Sequence, residues 1–110
     1  MPFYMFKGKY TAAAFKAMVE TPQDREAAVR PLIEGLGGKL HHLFFCFGED
    51  DVIALIEAPD DEAMAAGALA VAASGTLSGG SSVKLMTAKE AMKAMERAKA
   101  ATSTFRPVSA

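Results

Sequence analysis

Residues 3–9 form a short aromatic-rich run, and behind the polar Thr11 the side chains Ala12, Phe15, Met18 and Val19 recur at helical spacing. This pattern predicts a strand followed by a helix with one buried face, capped by Thr11. Thr21-Pro22-Gln23-Asp24 then sets a capping hydroxyl before a proline, which predicts a second helical segment running to Leu36. Pro31 lies inside that segment and has no N–H for the ladder, so a kink or break is expected near Arg30. Gly37-Gly38 supplies a left-handed helix end.

Residues 39–47 and 52–57 are rich in Leu, Phe, Val and Ile, and Gly48-Glu49-Asp50-Asp51 between them is turn chemistry, so the two runs read as a hairpin. Ala58-Pro59 ends the second strand, and Asp60 caps an alanine-rich helix to about residue 73. The glycines and serines of residues 74–82 predict a flexible loop leading into a last strand at 83–86. Thr87 then caps a final helix to about residue 100. The order is that of an α+β, ferredoxin-like βαββαβ domain with an added C-terminal helix. Residues 1–100 form the domain in this reading, and the Ser/Thr/Pro-containing residues 101–110 form a flexible tail whose expected anchor is Phe105 on a neighbouring molecule.

Strict alternation puts Leu43, Phe45 and Phe47 on one face of the second strand and Leu40, His42, Phe44 and Cys46 on the other. Neither face is polar, whereas a sheet covered by helices on one side only should turn polar residues to water on the other. Leaving five or six such side chains exposed would forgo roughly 1.5–3 kcal/mol each, on the order of 10 kcal/mol in all. A homodimer or higher homo-oligomer packed sheet on sheet is therefore expected. Closing the hairpin at Gly48 with Asp51 sets Cys46 opposite Ile53, Phe44 opposite Leu55 and His42 opposite Glu57. With Leu43, Phe45, Phe47, Val52, Ala54 and Ile56 under the helices, His42 and Glu57 point into the interior shared by two copies.

The chain has 110 residues, enough for one domain, with a net charge of −1 and pI near 6.1. Such a balance offers no basic footprint for phosphate backbones, so nucleic acid is not an expected partner. Cys46 is the single cysteine, which excludes an intrachain disulfide framework and fits a reducing compartment. No leader is legible at the N-terminus, and residues 63–73, the most apolar run, fall short of the ~20 residues needed to cross a bilayer. A cytoplasmic location without membrane attachment is the resulting expectation.

An imidazole beside a carboxylate can have its tautomer fixed and its basicity raised, so His42 and Glu57 are the candidate acid/base pair; a cross-strand ion pair is the structural alternative. His41 and His42 are adjacent, and neighbouring residues of a regular strand point to opposite faces, so no metal site is expected from them. Tyr4, Phe44 and Lys7 are candidate ligand contacts, although Lys7 and Tyr4 fall on opposite faces of the first strand and the pattern does not say which faces inward. Ser78-Gly79-Gly80-Ser81-Ser82 has the composition of a phosphate cradle but runs from a helix into a strand, the reverse of the order such cradles use. No cofactor is expected.

Gly37-Gly38-Lys39-Leu40, Phe47-Gly48-Glu49-Asp50-Asp51-Val52 and Glu57-Ala58-Pro59-Asp60-Asp61-Glu62 together resemble the GYD-domain family of small bacterial proteins. Gly48 and Asp51 match the glycine and aspartate of the family signature, and Asp50 stands where that signature has tyrosine. The resemblance implies a dimeric α/β barrel made of a ferredoxin-like pair and carries no assigned activity. Three functions follow as expectations: a binding or regulatory module for a small apolar or aromatic ligand held between the sheets; a cofactor-independent monooxygenase, isomerase or lyase; and a structural assembly protein.

Overall fold

In a computed structural model, which describes residues 1–109, four strands and four helices follow one another as β1 (Phe3–Tyr10), α1 (Ala12–Glu20), α2 (Arg25–Gly35), β2 (Lys39–Phe45), β3 (Val52–Glu57), α3 (Asp61–Ala73), β4 (Leu77–Leu85) and α4 (Ala88–Ala101). A 3₁₀ turn at Thr102–Thr104 follows α4. The sheet order is β2-β3-β1-β4, antiparallel throughout. This is the ferredoxin-like arrangement expected from the order of elements.

Capping chemistry sets most helix starts. Thr11 accepts from the Ala14 N–H, Asp60 from Ala63, and Thr87 with Glu90 forms a reciprocal capping box. The second helix differs from expectation: Asp24, not Thr21, accepts from Ala27 N and opens α2, while Thr21 closes α1. Pro31 is carried inside α2 without a break. Ile33, buried against the sheet, and Arg30, whose guanidinium donates to Leu40 O at 2.8 Å and Glu26 at 3.1 Å, hold the helix on either side of the missing hydrogen bond. Gly37 takes φ 81°, the left-handed conformation predicted for the helix end.

The core lies between the sheet and the pair α2 and α3. Tyr4, Leu40, Ala54 and Ile56 meet Ile33 and Met64 there, with Phe6, Val29 and Leu43 packed at the margin. Tyr10 takes the edge of Phe15 from α1 and stacks on Phe45.

Two sequence-derived expectations are corrected by the sheet. The glycine- and serine-rich stretch is not a loop: β4 begins at Leu77, and Gly79, Gly80, Ser81 and Ser82 pair with Lys9, Gly8, Lys7 and Phe6. Small residues are required at the centre, because a Cβ on Gly80 would come within 2.8 Å of Lys7 O. Leu40, assigned to the second face, is the most deeply buried side chain of the core at 1% exposure. The reason is a bulge in β2 between Leu40 and His42, after which the alternation restarts.

Past the domain, α4 leaves the sheet with every residue exposed except the half-buried Ala91. Phe105 is 69% exposed and so anchors nothing within its own chain. The predicted tail ends at Ala110, which lies outside the described residues. Among the described residues, no helix is long and apolar enough to cross a membrane.

Candidate functional site

All three packed helices cover the side of the sheet that bears Tyr4 and Tyr10, and the other side stays open. Register turns that open side into a grid. Leu85, Phe3 and Glu57 make one row across β4, β1 and β3; Val83, Met5, Leu55 and His42 make the next; Ser81, Lys7, Ile53 and Phe44 make a third. Apolar side chains fill its middle. Phe44 at 60% and Val83 at 42% are the most exposed of them.

The polar pair at the end of the grid is His41 with Glu57, not His42 with Glu57. His41 Nε2 lies 2.6 Å from Glu57 Oε1, both side chains are about a quarter exposed, and the imidazole packs on Phe3 with ring centroids 5.6 Å apart. Two shifts explain the correction. The hairpin closes with Phe45 opposite Val52 rather than Phe47, moving the register by two residues, and the bulge then inserts His41 as an extra residue. His42 stands opposite Leu55 and stacks on Phe44 with centroids 5.4 Å apart. The two histidines therefore share the open face, which regular alternation forbids. Among the described residues no cluster of three or more His, Cys, Asp or Glu side chains could hold a metal ion.

Of the other sequence-derived candidates, Phe44 and Lys7 flank Ile53 in one row of the grid. Tyr4 is separated from both by the thickness of the sheet. It is 3% exposed on the helix side, where its hydroxyl donates to Asp61 Oδ1 and the ammonium of Lys84 reaches the same oxygen at 2.9 Å. That hydrogen bond, with burial and the negative charge beside it, pushes the Tyr4 phenol up to about 12. The Tyr4 hydroxyl and Lys84 together hold the Asp61 carboxyl below its usual range. Burial also raises the Tyr10 phenol, against the opposing pull of Arg25.

Asp51 and Gly48 lie in the β2–β3 loop. Asp51 accepts from Tyr10 N at 3.0 Å through its carboxylate and donates its own N–H to Gly8 O at 2.9 Å, tying the loop to the end of β1. Gly48 has open space around it and no left-handed backbone. Cys46, expected opposite Ile53, instead opens the loop, its N–H on Asp51 O and its thiol 3.0 Å from Asp50 O. Phe47, expected under the helices, stands fully exposed in that loop.

His41 was legible in one respect: Leu40-His41-His42-Leu43 spaces two apolar residues three apart, where an unbroken strand would space core residues by two. The Tyr4, Asp61 and Lys84 cluster carries no local signal, since its members are 57 and 23 residues apart in the chain.

Residues 4–95 match the GYD domain. The chain belongs to the GYD domain family. The matched range runs from Tyr4 in β1 through all four strands and three of the four helices into the first half of α4. Among solved structures, the crystal structure of MtbAldR (Rv2779c) superposes with a TM-score of 0.57 at 15% identity, covering 78% of this chain and 53% of that one. The chain thus spans about half the length of that relative, and the likeness is one of fold. No curated protein matches the chain.

Proposed function

We propose that this GYD domain works as a homodimer in which two open sheet faces enclose a small ligand with an aromatic or apolar body, a binding or regulatory role. The observation that carries this reading is the half-buried His41–Glu57 pair at the end of a grid whose middle is apolar. The apolar rows favour burial against a like surface, at roughly 1.5–3 kcal/mol for each side chain removed from water. The imidazole and carboxylate give that interior one place where a hydroxyl or acid group of a ligand finds a hydrogen-bond partner, the usual make-up of a small-molecule site.

A second reading rests on the same pair. An imidazole held 2.6 Å from a carboxylate is arranged for proton transfer, so a cofactor-independent isomerase, lyase or monooxygenase is the enzyme class this site suits. The fold alone does not choose between the two.

A thermal-shift screen of small phenols and aromatic carboxylic acids tests the binding role. Hits should stabilise the wild-type protein and lose their effect in His41→Ala and in Phe44→Glu. A screen whose hits act equally on both variants would place binding away from the grid and overturn the reading.

A further inference from the structure

Beside the open sheet face, the molecule carries a second pair of unpartnered apolar surfaces. One is a groove between α3 and β4. Between Leu77 and Lys84 the helix-facing positions of β4, Gly80 and Ser82, are small, and two adjoining open hollows of about 340 and 440 Å³ run between the strand and the exposed side of α3. Phe6, Ala65, Ala68, Leu69, Ala72 and Leu77 line it, and Leu69 is 68% exposed. The other surface is on α4. At 100° per residue, Ala88, Ala91, Met92, Ala94, Met95, Ala98 and Ala101 fall on one arc with Lys99 among them in the last turn, and Lys89, Glu90, Lys93, Glu96 and Arg97 fall on the opposite one. Met92 and Met95 are 54% and 66% exposed, facing nothing in the chain. A helix of 14 residues is marginal in water without packing.

We infer that α4 of a second copy of this chain lies in the groove between α3 and β4, with the exchange made reciprocally. Length, packing and charge agree. The 13 residues of α3 and the 14 of α4 make helices of about 20 and 21 Å, so one covers the other. Alanine-rich arcs on both allow close approach, a surface better suited to another alanine-rich helix than to a lipid layer. The first turn of α3 carries Asp61 and Glu62 behind the cap Asp60, and the last turn of α4 carries Lys99 on the same arc as Met92 and Met95. Antiparallel docking sets that base beside those acids and opposes the two helix dipoles.

The chain's own α4 does not satisfy these terms. It follows β4 after Met86-Thr87, and Lys84 near the end of β4 is bonded to Asp61 at the start of α3. Folding back along the groove would run α4 parallel to α3 and carry Lys99 away from the acids. In the structure α4 stands clear, and the molecule is 60 Å long against 21 Å thick. The exchange does not depend on the sheet-to-sheet pairing proposed above.

Cysteine cross-linking in a Cys46→Ser background tests it, using Leu69→Cys and Met95→Cys, the mid-points of the two helices and therefore least sensitive to their offset. Coexpressed chains of different length, one with each cysteine, should give a disulfide-linked species of mixed size on oxidation. In the doubly substituted chain the link should join two chains. A link closing within one chain would show fold-back and overturn the exchange, and so would absence of any link. Met95→Glu should weaken self-association at least tenfold while the domain keeps its cooperative thermal transition. If it instead abolished binding to anionic phospholipid vesicles and left self-association unchanged, α4 would be a membrane-contacting helix and the inference would be wrong. Met95 is far from the grid, so ligand-induced thermal shifts should survive that substitution.

Discussion

His41 Nε2 and Glu57 Oε1 meet at 2.6 Å across β2 and β3 because the hairpin closes two residues early and a bulge in β2 then inserts His41 as an extra residue. The contact joins two half-buried groups, and hydrogen bonds of charged groups are worth about 1.5–3 kcal/mol when removed from a protected site. His41→Ala should therefore cost about 1–2 kcal/mol in urea unfolding, and His42→Ala, which removes an exposed ring, less than about 0.5 kcal/mol. Equal losses would mean that the bulge does not distinguish the two.

Asp51 should behave as a latch rather than a loop residue. Its carboxylate holds Tyr10 N, so Asp51→Ala leaves a strand-end donor without its partner and should cost about 1–2 kcal/mol. Asp51→Asn keeps an acceptor oxygen and should lose less than half of that. Denaturant midpoints of the two variants, compared at equal slope, give the answer.

Pro31 stands where an alanine would add a hydrogen bond. Proline in a helix interior is about 3 kcal/mol worse than alanine, so Pro31→Ala should stabilise the protein by about 1–3 kcal/mol. A neutral or destabilising result would show that the missing N–H is compensated by the curvature of α2.

The Tyr4–Asp61 contact makes stability pH-dependent at both extremes. The Tyr4 phenol ionises near 10.0 when unfolded and about 12 when folded, so its contribution is complete below pH 10 and is lost as pH rises towards 12. The Asp61 carboxyl is lowered, so its contribution is present above its ordinary 3.8 and is lost as pH falls through the folded value. Tyr4→Phe should reduce the alkaline loss, leaving the part due to the raised Tyr10 phenol, and remove the later of the phenolate absorbance steps. Persistence of that step in Tyr4→Phe would assign it to Tyr10.

The fold was legible because its signals are local. Thr11, Asp60 and Thr87 each announce a helix start three residues ahead of the N–H they bind, and Gly37 announces an end. The site was harder to read because it depends on register. Turn chemistry suggested closure at Gly48 and Asp51, but Asp51 is held by β1, a contact 41 residues distant that lengthens the loop, and Phe47 is left outside the ladder. Glu57 stays on the open face of the sheet through these shifts; its partner changes. Only the end of β4 is legible as a strand, because Gly79, Gly80, Ser81 and Ser82 have turn composition, whereas Phe6 and the backbone of β1 leave room for nothing larger at Gly80.

The central claim is that the apolar grid closes on a second copy. Sedimentation velocity at micromolar concentration in a Met95→Glu background, where α4 exchange is disabled, isolates the sheet face. The account predicts a dimer for Met95→Glu and a folded monomer once Leu55→Glu is added at the middle of the grid. A monomer before Leu55 is changed, or a dimer that survives the change, would contradict it.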